Sequence, residues 1–247
     1  MRIAVLSDIH GNAWALDAVL EEMKDVDADR VLNLGDCFFG PLDPGGTYAR
    51  LLGWDWPTVR GNQDRSLLEA ADNPTAVFTL GEIGDEGVEW LAERTELTVR
   101  QGPILACHGD LEHDDVTLIE RVEPTFVRTA TEEELLEAVG GRGGGIEVFL
   151  CGHSHQPGTV RLADGRLVVN PGSVGLPAYR ADTPHPHGME AGTPHARWAV
   201  LERIDAGWKI ELRVTPYDVT PAVEAARRNG RPDWARWIET GRAVEVP

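Results

Sequence analysis

Lysine is nearly missing from this chain. Lys24 and Lys209 are the only two in 247 residues, leaving arginine as 21 of the 23 basic side chains. Cysteine is scarce as well. Cys37, Cys107 and Cys151 are odd in number and far apart, which excludes a disulfide framework and agrees with a reducing cytoplasm. No apolar run approaches the roughly 18–20 residues of a membrane-spanning helix. The opening Met1-Arg2-Ile3-Ala4-Val5-Leu6 is too short for a signal peptide, so the expectation is a cytoplasmic protein with no membrane partner. Positive charge is in deficit, 23 basic against 41 acidic residues, for a formal net charge of −18. That balance argues against a nucleic-acid polymer or an anionic membrane as the main partner. It leaves room for a nucleotide in a small pocket where metal ions set the local potential. Arginine in place of lysine, with so many acids, fits a GC-rich genome, a salt-adapted host or a hot one, and composition leaves these three equal. Internal repeats and long linkers are absent too.

What is present is ordinary for a globular α/β protein, with 42% hydrophobic and 26% charged residues. The length predicts one domain over residues 1–247, with 196–247 as terminal strands and a helical tail. Short apolar runs at 3–6, 30–34, 57–60, 104–107, 147–151 and 167–170 predict buried strands. Residues 13–24 predict a helix with Trp14, Ala15, Ala18, Val19 and Met23 on one face. Further helices are expected at 47–52, after a Gly- and Pro-rich loop at 41–46, and at 65–72 and 85–94. Another is opened by Thr131 with Glu134 three residues on, a capping-box pattern, and ends near Gly140-Gly141. Beyond residue 195, segments 197–203 and 208–214 read as consecutive strands, the second alternating Trp208, Ile210, Leu212, Val214. Residues 221–241 read as a helical tail with Trp234 and Trp237 at helical spacing.

Chemistry-bearing residues follow the strands. Five segments stand just past predicted strand ends: Asp8-Ile9-His10, Gly35-Asp36, Gly61-Asn62-Gln63-Asp64, His108-Gly109-Asp110 and Gly152-His153-Ser154-His155. That edge is where ligands bind in α/β sheets. Singly, most are weak. Asp8 and His10 fit a turn Asp beside a surface His, and Asp36 fits a turn carboxylate as well as one bridging two cations. Asn62 after a Gly suits a simple turn, and His108 a hydrogen-bonded strand end. The Gly-His-x-His segment is sharper, because glycine lets the backbone pass close to ions. Their co-occurrence decides. Two aspartates, an asparagine and four histidines are the oxygen and imidazole donors that hold a pair of divalent transition metals. Two ions roughly 3.5–4 Å apart can clamp the attacking and leaving oxygens of a phosphoryl centre, so phosphoester hydrolysis is the expected reaction. The cysteines read as small core residues and Trp234 and Trp237 as packing. The 182–195 stretch, with His185, His187 and His195, reads as a flexible loop or as a flap contributing to substrate binding.

In order, these motifs resemble the calcineurin-like metallophosphoesterases over about residues 3–175. Ser7-Asp8-Ile9-His10-Gly11-Asn12 and Asn170-Pro171-Gly172-Ser173-Val174-Gly175 look like its small bacterial and archaeal phosphodiesterase branch, as does the tail with Pro216-Tyr217-Asp218 and Gly230-Arg231-Pro232. The resemblance implies a four-layer α/β/β/α sandwich of two mixed sheets flanked by helices. It implies that Asp8, His10 and His155 bind one metal, that Asn62, His108 and His153 bind the other, and that Asp36 bridges them. Manganese, iron, zinc or nickel suit such donors, and cellular availability helps decide among them. A hydroxide bridging the two metals would attack phosphorus, Asn62 and His108 would stabilise charge on the phosphoryl oxygens, and Asp64 would orient neighbouring groups.

One position departs from the family pattern. Gln63 stands where the family has a histidine, and its amide cannot act as a general acid. That favours a phosphodiesterase acting on a small phosphate ester or nucleotide. The rival expectations are a phosphomonoesterase or protein serine/threonine phosphatase, and a non-catalytic binding scaffold with the same fold. Relatives of the branch are often dimers, so the resemblance also suggests a homo-oligomer.

Overall fold

A computed structural model of the chain describes residues 1–142 and 144–243. Its strands, in chain order, are β1 (Arg2–Leu6), β2 (Arg30–Asn33), β3 (Thr58–Val59), β4 (Thr95–Glu96), β5 (Thr98–Gln101), β6 (Ile104–Cys107), β7 (Glu120–Val122) and β8 (Val127–Thr129). They continue with β9 (Val148–Leu150), β10 (Gly158–Arg161), β11 (Leu167–Asn170), β12 (Ala178–Ala181), β13 (His187–Glu190), β14 (Ala196–Ile204) and β15 (Gly207–Thr215). Two mixed sheets carry the fold, one ordered β15-β14-β1-β2-β3-β4 and the other β10-β11-β9-β6-β5. Strands β1 to β4 run parallel, as do β6, β9 and β11. Two hairpins, β7–β8 and β12–β13, stand apart from both sheets.

Side-chain alternation builds the layers. In β1, Ile3 and Val5 enter a core shared with Ala199 and Leu201 of β14, Ala106 of β6, Leu150 of β9 and Val169 of β11. This core lies between the sheets. Ala4 and Leu6 turn the other way, into a second core with the helices. On the far side of the second sheet, Cys107, Phe149, Cys151 and Val168 form a third core. Strands buried on both faces carry continuous apolar runs, which is why the six short segments were readable. The result is the expected α/β/β/α sandwich.

Helices α1 (Ala13–Met23), α2 (Pro44–Leu51), α3 (Asn62–Leu68) and α4 (Pro74–Arg94) lie against the first sheet, and α5 (Glu132–Val139) packs on the second. α6 (Thr220–Arg228) and α7 (Pro232–Thr240) return to the first sheet's outer core through Ala222, Val223, Trp234 and Ile238. Several expectations are corrected. The expected loop at 41–46 is helix from Pro44 on: Asp43 caps α2, its side chain accepting from Gly46 N at 2.9 Å, and Pro44 occupies the first turn. α3 begins at Asn62 rather than at 65. α4 runs from Pro74 and carries a kink at Gly84, which sits at φ 60°. The helical tail is two helices, broken at Gly230 with φ 73°.

The 182–195 stretch is not loop throughout. It contains β13, paired in register with β12, and its end is tied down by the Arg197 guanidinium, which donates to the carbonyls of Ala191 and His195 at 2.9 and 3.0 Å. Proline and glycine content suggested a loop, but tertiary hydrogen bonds override that preference.

Candidate metal centre

The loops beyond the carboxyl ends of both sheets meet and pair with one another. Asp8 N donates to Gly35 O at 2.9 Å and His10 N to Asp36 O at 2.9 Å, tying the β1 loop to the β2 loop. Gly152 N donates to His108 O at 2.7 Å, and Gly175 N to Asp8 O at 3.0 Å. Within these loops Asp8, His10, Asp36, His153 and His155 all have left-handed backbones, with φ between 52° and 63°. Residues bearing a Cβ avoid that region at a cost of roughly 1–2 kcal/mol each. Among the described residues only Asp27 and Ala70 share it without being glycine. Strain concentrated at one place, held by surrounding hydrogen bonds, is a mark of a functional site. Glycine permits the crowding: a Cβ on Gly61 would lie 2.0 Å from Asp36 Oδ1.

The side chains converge. His155 Nε2 lies 3.2 Å from Asp8 Oδ1, and His10 Nε2 lies 3.9 Å from Asp8 Oδ1 and 3.7 Å from Asp36 Oδ2. His108 Nε2 lies 3.8 Å from Asp8 Oδ1 and 3.5 Å from Asp36 Oδ2. His153 Nδ1 faces Asn62 Oδ1 at 3.0 Å, and its ring lies 5.4 Å from that of His108. Two groups have a metal ligand's spacing: Asp8 with His10 and His155, and Asp8 with Asp36 and His108, each group's donor atoms within 4.8 Å of one another. Five of the seven expected donors fall in these groups, and His153, with Asn62 against it, stands beside His108.

Hydrogen bonds behind the imidazoles fix which nitrogen faces inward. His10 Nδ1 pairs with Phe39 O at 2.9 Å, His108 Nδ1 with Leu34 O at 2.7 Å and His155 Nδ1 with Leu176 O at 2.6 Å. A carbonyl only accepts, so each Nδ1 carries a hydrogen. In its neutral form each ring then aims an Nε2 lone pair at the centre, and the Nε2 atoms of His10 and His155 stand 3.1 Å apart. Lone pairs that close repel unless a cation lies between them. Two nitrogens each about 2.0–2.1 Å from one ion are separated by about this distance. Asp8 Oδ1 and His108 Nε2 are buried with no hydrogen-bond partner, which is costly for polar atoms unless an ion satisfies them.

Electrostatics agree with a ligand set. Burial alone would raise the carboxyls of Asp8 and Asp36, but the imidazoles outweigh it, led by His155 for Asp8 and His108 for Asp36, and both are held below the ordinary range. Burial pushes His10 down, and burial with nearby His108 brings His153 to about 4, so both rings are neutral donors. His108 goes the other way. Burial would lower it, yet Asp36 and Asp8 raise it to about 10, so its proton stands where a cation belongs.

Ser7, Asn170 and Ser173, parts of the sequence motifs, were given no role there. Ser7 Oγ donates to Asp8 Oδ2 at 2.6 Å. Ser173 Oγ donates to Asp8 O at 2.8 Å, and Asn170 Nδ2 to Gly152 O at 2.8 Å. They act on backbone or through another side chain, so no ligand spacing marks them; their place beside the motifs was the available signal. Asp64 is fully buried and accepts from Asp36 N, Cys37 N and Gly61 N at 2.8, 2.9 and 3.0 Å. It holds the turns that carry Asp36 and Asn62 and does not face the cavity. Burial and Asp36 raise its carboxyl to about 7. The three cysteines are buried core residues whose thiols burial pushes up.

A cavity of about 430 Å³ opens above the centre. His10, Asp36, Asn62, His153 and His155 form its floor, while Asp8 and His108 lie beneath. Its walls include Phe39, Tyr179, His187, Arg231 and Trp234. Trp234, expected only to pack, is buried in the helical core and also stands edge-on to His10 with centroids 5.6 Å apart. A wider groove of about 560 Å³ between the β7–β8 hairpin and β10 holds none of the seven donors.

Residues 1–186 match the calcineurin-like phosphoesterase superfamily domain, and the chain belongs to that superfamily. An uncharacterized protein of Methanocaldococcus jannaschii is 25% identical over 257 residues, covering 94% of each chain. A metallophosphoesterase from Sphaerobacter thermophilus has 21% identity and a TM-score of 0.73, over 98% of this chain and all 100% of that one. A hypothetical protein from Pyrococcus horikoshii has 18% identity and a TM-score of 0.72, over 98% and 99%. These two share the fold along nearly the whole chain, tail included. The superfamily depends on divalent metals, and the donor groups here fit that requirement. Among the described residues no helix is long and apolar enough to cross a membrane.

Proposed function

We propose that the chain is a phosphodiesterase working with two divalent transition-metal ions on a small phosphate ester or nucleotide. One observation carries the reading: the inward Nε2 atoms of His10 and His155 stand 3.1 Å apart beside the unpartnered Asp8 Oδ1 and His108 Nε2. Asp8, His10 and His155 would hold one ion, Asn62, His108 and His153 the other, and Asp36 both. When bound, such ions supply Lewis-acid charge and lower the pKa of a water to about 7. The rest falls to the chain. The left-handed loops fix the donors before substrate arrives, which lowers the reorganisation needed during reaction. Asn62, on the cavity floor, stands beside charge that builds on the phosphoryl oxygens. His108, beneath the floor, contributes through the centre rather than by touching substrate.

The cavity admits a small ester, and the net charge of −18 disfavours anionic polymers and phosphoproteins. The reading includes a cytoplasmic, homo-oligomeric enzyme. The test is elemental analysis of the purified protein, then assays of a bis-aryl phosphodiester and an aryl monoester with added manganese. About two ions per chain with diester turnover is the expected result. Monoester turnover alone would overturn the diester assignment, and neither metal nor turnover would favour the scaffold. Asp36→Ala and His153→Ala should each lose activity by on the order of a hundredfold or more, beyond the loss typical of a supporting residue.

A further inference from the structure

We propose that His187 is a catalytic residue, the proton donor to the leaving oxygen of the ester. The inference rests on the phosphoesterase reading above. Hydrolysis breaks a P–O bond and leaves an electron pair on an oxygen. A nitrophenolate carries that pair easily, whereas an alkoxide or plain phenolate needs a proton. Gln63, on the cavity wall beside Asn62, has an amide that does not titrate.

Beyond the candidate ligands, the titratable groups on the wall are Asp115, Tyr179, Arg180, His187 and Arg231. The guanidinium groups keep their protons. Asp115 pairs with Arg65 at 3.5 Å and accepts rather than donates. A tyrosine hydroxyl, ordinarily titrating at about 10, is a far weaker acid than an imidazolium and holds its proton more tightly. Histidine is the side chain suited to gaining and releasing a proton there, and His187 is the one that remains.

Its placement fits the role. β12 and β13 pair Ala181 with His187 and Tyr179 with Met189, so Tyr179, Ala181 and His187 share one face of the hairpin. The Tyr179 ring stands edge-on to both histidines, 4.7 Å from the His155 ring and 6.2 Å from that of His187. His187 Nδ1 pairs with the His185 carbonyl at 2.7 Å, which reserves Nε2 for another partner. The side chain is half-buried, so solvent can restore its proton. His187 is also the first residue past the part of the chain matching the superfamily domain.

The step balances. A water oxygen forms the new bond to phosphorus and its protons pass to solvent. The ester P–O bond breaks, its electron pair stays on the leaving oxygen, and that oxygen takes the proton from His187 Nε2. Neutral imidazole is then reprotonated from solvent.

The test compares His187→Gln and His187→Ala with the unaltered protein on nitrophenyl, phenyl and alkyl phosphodiesters. Metal content is measured on the same samples. Calorimetry gives the affinity for an unreactive phosphinate analogue. General acid catalysis contributes about 10²–10⁴-fold, so kcat for phenyl and alkyl esters should fall by about a hundredfold or more while nitrophenyl turnover falls by less than about threefold. Metal content should be unchanged and phosphinate affinity altered by less than about threefold. An equal loss for every leaving group, or a loss lying in affinity or metal content, would overturn the assignment and make His187 a wall residue. If the unaltered protein, with two ions bound, hydrolyses no ester, the phosphoesterase reading itself fails and this one with it.

Discussion

Asp8 is held from several sides and free on one. Ser7 Oγ donates to its Oδ2, Ser173 Oγ and Gly175 N donate to its carbonyl, and only Oδ1 is left facing the imidazoles. Removing the Ser7 hydroxyl leaves the ligand in place but loosens its aim. Ser7→Ala is expected to weaken metal binding by about 10–100-fold, as loss of a supporting hydrogen bond typically does, with far-UV circular dichroism unchanged. Calorimetric titration with manganese measures it, and unchanged affinity would mean the backbone alone aims Asp8. Gly61→Ala is a harsher case, because the new Cβ would stand 2.0 Å from Asp36 Oδ1. Its expected outcome is a protein that retains its secondary structure but binds fewer ions per chain by elemental analysis. The seven donors were legible because ligand chemistry restricts residue type and each stands just past a strand. Ser7, Asn170 and Ser173 stood inside the motifs, but their roles were not legible, since a hydroxyl or amide that holds backbone or a neighbouring carboxylate leaves no distinctive spacing. The departure at Gln63 was also legible, and His187 stood with His185 and His195 in the flap reading, but that His187 is the one lining the cavity emerges only once β12 and β13 pair.

Elements were legible where local and tertiary forces agreed. α5 is such a case: Thr131 Oγ1 accepts from Glu134 N at 3.3 Å, and Glu134 Oε2 accepts from Thr131 N at 2.7 Å. Arg128 of β8 adds bonds of 2.8 Å to both carboxylate oxygens, fastening the helix start to the hairpin. Arg128 first, then the Thr131 backbone, lower the Glu134 carboxyl to about 2. A carboxyl lowered on folding stabilises the protein above its unfolded pKa, ordinarily about 4.3, and loses that contribution as pH falls toward 2. Urea denaturation of Arg128→Ala should therefore show its deficit at pH 6 and little deficit near pH 2. A deficit unchanged by acid would mean that Arg128 acts through packing. Thr131→Ala should cost about 1 kcal/mol at any pH, the usual cost of losing a cap. The β12–β13 hairpin and the first half of α4 were hidden for the opposite reason. Their glycines and prolines favour breaks locally, and the contacts that order them come from α7, Arg197 and the helical core.

At the scale of the molecule, the centre joins the two sheets, since Asp8 and Asp36 come from one and His108, His153 and His155 from the other. Ions bound there would crosslink the sandwich. By mass action, ligand at 100 times its dissociation constant stabilises by about 2.7 kcal/mol. For a chain of this size that is a rise in Tm of roughly 5–10 °C, which differential scanning calorimetry with manganese against a chelator would reveal. No shift would mean that the donors do not bind ions in the folded state. The tail's strands β14 and β15 belong to the first sheet. β14 lies between β1 and β15, inside the first sheet, and sends Trp198 and Val200 to one core and Ala199 and Leu201 to another. Tyr217 meets Asn12 Nδ2 at 3.0 Å, close to the β1 loop, and Trp234 of α7 stands against His10. A chain ending at residue 195 would leave one edge of β1 unpaired and open two cores, which is a far larger loss than the few kcal/mol that separate folded from unfolded chains. The expected outcome is that this truncation is expanded and binds no manganese. The full chain should unfold in one transition, with the same midpoint by tryptophan fluorescence and by far-UV circular dichroism. A truncation that folds cooperatively and keeps its ions would make residues 196–247 an independent appendage, and the wall that Arg231 and Trp234 lend the cavity an accessory to a centre complete without it.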